Sequence, residues 1–545
     1  MNALGLTRFK RLAMPAACAG LLAAALGAAP VQAAELKIGL AAEPTAMDPH
    51  YHLFTPNISL ANHIYEPLVM KNPDFSMHPG LAESYRAINP TTWEFKLRKN
   101  VKFHDGTAFD ANDVLFTFCR VPTVPNSPSP FTLYTKAIKE MEAPDPYTVI
   151  IKTVEPYPLL PNEISSIGII SDSIIDGEKV HFSESGCKIS HKWPSTADFN
   201  SGKASIGTGP FKFGQFVKGD RIVLKRNDAY WGKKPTWDQV VMRPITNPGS
   251  RVAALLAGDV DFIERPTTQD IPRIKADSRF RIEGAVSTRT VFLVMDQSSD
   301  KAPPGVKTAD GKNPFKDVRV RKALSMAIDR RAIVDRIMGG FAKPAQQLMS
   351  KEFFGTDTSL PVLATNVAEA KKLLAEAGYP DGFEITLATP NDRYINDAQV
   401  AQAVAQMFAK VGIKTGVDAM TASSFLSRRA KHDFGIYLFG WGAQTGEMSS
   451  PLRGLVATIN KTRGWGSSNY GKFSDATLDS TLEKAMETVD DNQRRTLLAQ
   501  ASKRSMELMA VIPLHYEVTP WAMKSSLNYK ARADEFTKAE DVTPK

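Results

Sequence analysis

Two short loops carry the side chains best suited to gripping a small molecule. In Thr389-Pro390-Asn391-Asp392-Arg393-Tyr394, an arginine and a tyrosine follow an expected strand and precede an expected helix. A guanidinium placed there can meet a carboxylate or phosphate through two parallel hydrogen bonds. Its competing use is a surface salt bridge to Asp392 or Asp397. The second loop, Gly440-Trp441-Gly442-Ala443-Gln444-Thr445-Gly446-Glu447, follows an apolar run. Trp441 there can wall a ligand or pack into a core. Bond-breaking chemistry is poorly represented. Gly464-Trp465-Gly466-Ser467-Ser468 lacks the second glycine of a nucleophile elbow, no His-Glu-x-x-His occurs, and the nine histidines are dispersed. His50-Tyr51-His52 resembles a metal pair, since residues two apart on a strand share a face, but the prolines around it favour a plain loop. His432 lies near the second loop and could cap a metal chelate; between Lys431 and Asp433 its competing reading is a surface residue. These absences count against a secreted hydrolase, and no cofactor or resident metal is expected.

The elements that must hold these loops read as follows. Trp93, Phe95 and Leu97 alternate with Glu94, Lys96 and Arg98, the period of a half-buried strand, and Val101 and Phe103 continue it. Asp110 and Asp113 precede an apolar run, so a helix is expected from Ala111. Further strands are expected at Leu36–Ala41, Tyr147–Thr153, Ile206–Phe216, Arg221–Arg226, Trp237–Ile245, Arg289–Asp296, Glu384–Thr389, Phe434–Phe439 and Ile512–Val518. Helices are expected at Ile58–Val69, Arg251–Leu256, Val318–Met338 (two segments, capped between by Asp329), Asn366–Ala377, Asp397–Val411, Asp475–Val489 and Gln493–Met509. Strands alternating with helices of this length indicate an α/β chain.

The composition bounds the rest. Arg8, Lys10 and Arg11, then an Ala/Leu-rich run, then Val31-Gln32-Ala33, read as a cleaved export signal over residues 1–33. That leaves 545 − 33 = 512 residues, more than one typical domain. The formal charge of +9 falls to +6 without the three leader bases. Lys and Arg are interspersed with Asp and Glu, which reads as a solvated, mildly basic surface, and no nucleic-acid partner is indicated. A monomer is expected. Cys119 and Cys187 remain; they form either a disulfide or two buried thiols.

Four stretches carry a resemblance. Gly80-Leu81-Ala82-Glu83-Ser84 with Thr92–Phe118, Ile206–Phe211, Arg226–Trp231, and Asp317–Ala323 running to Ala327–Arg330 resemble, in order, the motifs of the family 5 extracellular solute-binding proteins. These are the dipeptide, oligopeptide and nickel-chelate receptors of bacterial ABC importers. The resemblance implies a two-lobed α/β periplasmic binding protein fold, with two crossover strands and an extra α+β subdomain inserted in the first lobe. The lobes would divide as 34–79, 205–288 and 512–545 for the first, 80–204 for the insertion, and 289–511 for the second. It implies a periplasmic protein that closes on a small solute and passes it to an inner-membrane permease with separate ATPase subunits. It places Thr45 and Met47 at the cleft mouth and Arg393 on a ligand carboxylate. In peptide-binding members an aspartate in the second loop meets the ligand ammonium; here Gln444 falls at that place, and Glu447 is the substitute one turn on. The expected solute is therefore peptide-like, anionic or N-substituted, with a nickel or haem chelate as the alternative.

Overall fold

The computed structural model describes residues 34–183 and 187–545; the expected export signal lies outside the described residues. Two long strands, Phe280–Met295 and Ile512–Lys524, run antiparallel side by side through the middle of a 12-stranded sheet. Beyond Ile512–Lys524 come Phe262–Glu264, Glu35–Leu40, Gln239–Pro244, Arg221–Arg226 and Phe211–Val217. Beyond Phe280–Met295 come Ile436–Gly442, Glu384–Pro390 and Val306–Lys307, with Lys414–Met420 also paired to Glu384–Pro390. The sheet thus belongs to two lobes, and the long pair crosses between them. Apolar burial divides the same way. One core gathers residues from Val291 to Leu514, with Phe75 and Ala533 added from outside that span, and another runs from Leu36 to Phe262 and resumes at Trp521.

Midway along the crossing pair the ladder breaks. Val286 opposes Val518 and Thr290 opposes Tyr516, so Ser287, Thr288 and Arg289 face the single residue Glu517. Such a bulge bends its strand and re-aims side chains.

The inserted segment builds its own four-stranded antiparallel sheet, from Ala82–Asn89, Thr92–Leu97, Thr148–Thr153 and Ile138–Asp145. Trp93, Phe95 and Leu97 are buried as the alternation requires. Helix Ala111–Arg120 starts on the expected reciprocal cap: Asn112 N donates to Asp110, and Asp110 N donates to Asp113. The core of the insertion is continuous with that of the first lobe. Cys119 and Cys187 are joined as a disulfide, with Cα atoms 5.4 Å apart.

The motif stretches prove to be joints. Gly209 N bonds Ile64 O, and a Cβ on Gly207 would lie 1.9 Å from the same oxygen, so only glycine permits that approach. Tyr230 Oη and Trp231 Nε1 donate to the buried carboxylate of Glu66, as does Thr208 Oγ1. Arg321 donates to the carbonyls of Phe315, Lys316, Leu508 and Met509, and Arg330 to those of Ser325 and Pro513. Those two arginines fasten the second lobe's helices to the root of the returning strand.

Three expected elements differ. The helix near Ile58 spans Thr55–Ala61 only, because the chain beyond it is drawn out against Gly207 and Gly209. Val101 and Phe103 are buried but lie outside any strand, where an isolated bridge, Lys102 to Ala108, replaces a ladder. The strand expected from Ile206 begins at Phe211, after the glycine joint.

Candidate ligand-binding site

A cavity of about 730 Å³ lies against the bulge, between the lobes. The first lobe supplies Leu53–Thr55 and Arg265–Gln269, and the C-terminal segment supplies Glu535. The crossing strands contribute Arg289, Glu517 and Thr519, and the second lobe Arg393, Asn396, Trp441, Gly442 and Gln444. The lobes touch at its edges: Asn396 Nδ2 donates to Thr268 Oγ1 at 3.1 Å, and Lys71 Nζ to Gln444 O at 3.3 Å. A space of this size encloses a small peptide or metabolite.

The local folding of the two loops explains their side-chain directions. Asp397 opens helix Asp397–Ala409, and its Oδ2 accepts the backbone N–H groups of Arg393 and Tyr394. Asp392 accepts from Ala422 N. Both carboxylates that compete for Arg393 are thus spent on backbone, and the guanidinium makes no ion pair among the described residues. Its one hydrogen bond is Nε to Tyr394 Oη, 3.1 Å. Tyr394 itself stands behind the wall, 6% exposed, donating to Gly440 O. Gly440 leaves room for that ring, since a Cβ would lie 2.7 Å from Tyr394 Cε1. Gly442 does the same for Arg289, whose Nη2 would be 3.2 Å from a Cβ. Trp441 lies between them, lines the cavity and donates to Ser450 Oγ at 3.1 Å.

Opposite stands a set of charges not anticipated from the sequence. Arg289 Nε lies 3.2 Å from Glu517 and 4.0 Å from Glu535, and Arg265 pairs with Glu535. Burial pushes Glu517 up despite Arg289, whereas Arg265 and Arg289 overcome burial to hold Glu535 below the usual carboxylate range. Two cations and two carboxylates cancel on this wall. Arg393 is left as the unbalanced charge of the cavity. The only sequence signal for the wall was the β-prone run around Arg289; its acidic partners lie more than 200 residues away.

Several expected site residues are placed elsewhere. Glu447 is 2% exposed, and both carboxylate oxygens accept from Arg494 Nη1, at 2.8 and 2.7 Å. It is a buried ion pair, which corrects the expectation that it replaces an ammonium anchor. Met47 is a core residue, its amide bonded to Asn200, and Thr45 shares hydrogen bonds with Asn57; neither lines the cavity. Gln444 is exposed and does line it. His50 is buried, with Nδ1 2.9 Å from Arg120 Nη1 and Nε2 2.9 Å from Gly168 O. Burial and Arg120 push its pKa down to about 4. It sits on the buried Asp48–Arg120 pair, not on a metal position. His432 lies tilted against Tyr470, with ring centroids 5.3 Å apart and an interplanar angle of 45°.

Two lobes joined by a bulged strand pair, with a solute-sized cavity at the joint, define a two-lobed periplasmic binding protein. The sequence profile of the bacterial extracellular solute-binding proteins, family 5, middle region, matches residues 76–463, and the chain belongs to that family. The glutathione-binding protein GsiB of Escherichia coli strain K12 is 26% identical over 511 residues, covering 91% of this chain and 92% of that protein. Heme-binding protein A of Haemophilus influenzae is 27% identical over 468 residues, covering 80% and 79%. Among solved structures, HbpA2 of Haemophilus parasuis superposes with a TM-score of 0.79 at 22% identity, over 94% of this chain and 100% of that one. The unliganded open form of the murein tripeptide-binding protein MppA gives 0.78 at 22% identity, over 94% and 98%. These relatives are binding proteins. Among the described residues no helix is long and apolar enough to cross a membrane.

Proposed function

We propose that this protein is the periplasmic receptor of an ABC importer for a small peptide-like solute that carries a carboxylate and lacks a free α-ammonium. The observation that carries this reading is Arg393: a guanidinium without an ion pair among the described residues, facing a cavity of about 730 Å³ between the lobes whose other charges cancel. Gln444 offers no charge to an ammonium, and Glu447 is committed to Arg494. A fold neighbour solved with agropinic acid holds a carboxylate ligand of that kind; the ligand of the relatives named for glutathione shares the carboxylate but also carries a free α-ammonium. Binding would bridge the lobes and favour the closed form by its differential affinity. The closed form would then dock on a permease. The test is a thermal-shift comparison of free dipeptides with their N-acetylated counterparts. Stabilisation by the acetylated forms alone supports the reading. Stabilisation by the free forms alone overturns it.

A further inference from the structure

We propose that Phe75 is a closing latch, a first-lobe side chain that seats in the second lobe when the lobes come together and holds them shut. It stands at the tip of a hairpin in which Val69–Lys71 pairs with Met77–Pro79. The C-terminal segment grips that hairpin: Arg532 Nη2 donates to Lys71 O at 3.1 Å, and Ala533 N to Pro73 O at 2.8 Å. The ring leaves the lobe that carries it. Phe75 is 9% exposed and is buried in the core of the second lobe, where Phe353 meets it edge-on with ring centroids 5.8 Å apart. Gly446 opens the seat, since a Cβ there would overlap the Phe75 ring. The seat itself is held firmly. Phe354 and Glu447 form a β-bridge, Met448 N donates to Phe354 O at 3.0 Å, and the buried Glu447–Arg494 pair fixes the same segment.

Two observations make this a latch rather than ordinary core. The first is backbone strain. Phe75 has a φ of +69°, a left-handed conformation that suits glycine and is rare for a bulky side chain. The turn is closed by bonds that do not involve the ring: Ser76 N and Oγ donate to Asp74 Oδ1 at 3.0 and 2.6 Å. Within the hairpin the ring meets the Lys71 ammonium, 5.5 Å from its centroid, a smaller reward than burial of a phenyl group. Strain held at one residue then points to a contact made outside the hairpin. The second observation is that the seam is unsealed. A cleft of about 620 Å³ borders the ring. The neighbouring tethers are single polar bonds, Lys71 Nζ to Gln444 O at 3.3 Å and Asn162 Nδ2 to Thr445 O at 2.7 Å. Such bonds exchange for bonds to water when the lobes part, whereas the phenyl ring supplies the apolar gain of closing at this point. The receiving loop is also the ligand loop. Trp441 and Gln444 line the Arg393 cavity, so seating the ring and placing those two side chains are one event. A contact that raises the closed population raises the apparent affinity by the same factor; this last step rests on the Arg393 reading of the cavity.

The experiment reads the lobes first without a ligand. Small-angle scattering is recorded on the unliganded wild type and on the Phe75→Gly, Phe75→Leu and Gly446→Ala variants. Glycine suits the φ of +69°, so Phe75→Gly removes the ring without straining the turn. Its radius of gyration should rise above that of the wild type, and its curve should fit separated lobes. Phe75→Leu, which keeps an apolar side chain, should stay near the wild type. Gly446→Ala obstructs the seat from the other lobe. It should open the wild type, add nothing in a Phe75→Gly background, and keep the test decisive if Phe75→Gly does not fold. Equal scattering from the wild type and Phe75→Gly, whether both are compact or both open, overturns the latch. So does a Phe75→Leu variant as open as Phe75→Gly. An N-acetyl dipeptide is then titrated calorimetrically into the same proteins. A closed population lowered about tenfold weakens it about tenfold in Phe75→Gly; unchanged affinity with opened lobes overturns the link between latch and cavity. A wild type that fails to bind the dipeptide counts against the Arg393 reading, and the scattering still decides the latch.

Discussion

Arg393→Gln should weaken an N-acetyl dipeptide about 30-fold while leaving the unliganded protein nearly as stable as before. The magnitude follows from what the side chain touches. A hydrogen bond to a charged group contributes roughly 1.5–3 kcal/mol. Arg393 is exposed in the unliganded cavity, so solvent screening places the pair toward the lower end, about 2 kcal/mol. At 1.4 kcal/mol per tenfold, that is a factor of about 30 in Kd. The unliganded protein loses only the bond from Nε to Tyr394 Oη and a ring contact at 5.5 Å, worth under about 1 kcal/mol. The assay is a calorimetric cycle with two proteins and two ligands, the N-acetyl dipeptide acid and its C-terminal carboxamide. If Arg393 holds the carboxylate, the variant loses affinity for the acid and barely changes for the amide, and the coupling is about 2 kcal/mol. Equal losses for acid and amide would show that the substitution acts through the cavity's shape. No loss for either would remove Arg393 from the site.

Three further outcomes follow from named contacts. Glu447→Gln should destabilise the protein by roughly 1–3 kcal/mol, because the buried Arg494 guanidinium keeps only the exposed Asp491 as a charge partner; urea unfolding reads the loss, and a selective loss of free-dipeptide binding instead would restore Glu447 as an ammonium anchor. Reducing the Cys119–Cys187 bridge frees a loop with a sequence separation of 68, worth up to about 4 kcal/mol in chain entropy; a melting curve unchanged by reductant contradicts this. Burial pushes Glu66 up to about 7 from an ordinary 4.5, against the hydrogen bonds from Tyr230, Trp231 and Thr208. A carboxyl raised in the folded state binds its proton more tightly there, so it adds stability as pH falls from about 7 towards 4.5 and loses it as pH rises. Glu66→Gln lacks that gain and should lose roughly 2–3 kcal/mol more than the wild type between pH 8 and pH 5; parallel urea midpoints at the two pH values would refute it.

What could be read beforehand follows the range of the forces involved. The Asp110–Asp113 cap and the ends at Gly378 and Gly412, both at positive φ, are local and were legible. The continuation through Val101 and Phe103 had the right period and no partner strand, because pairing is decided by distant chain. The helix expected to reach Val69 was shortened by glycines about 140 residues later. Arg393 could be proposed from its loop, but its availability depended on Asp392 and Asp397 capping backbone amides instead. Glu447 looked like a ligand residue because Arg494, its partner, carries no sequence mark. The charged wall of Arg289, Glu517 and Glu535 was invisible for the same reason: the bulge sets Arg289 beside Glu517, and both carboxylates come from chain more than 200 residues further on.

The adjacency of the crossing strands also bears on the order in which the molecule is completed. Thr290 and Tyr516 lie opposite one another, so the second lobe begins and ends at neighbouring points and its core needs little from outside that interval. The first lobe does not have this independence. Its core includes Trp521, Met523, Leu527, Tyr529 and Val542, residues that follow the whole second lobe. A chain synthesised from its N-terminus therefore starts the first lobe first and finishes it last. The second lobe can be a folded body while the first still lacks its closing strand, and truncation near the C-terminus should damage the half of the protein that was begun hundreds of residues earlier.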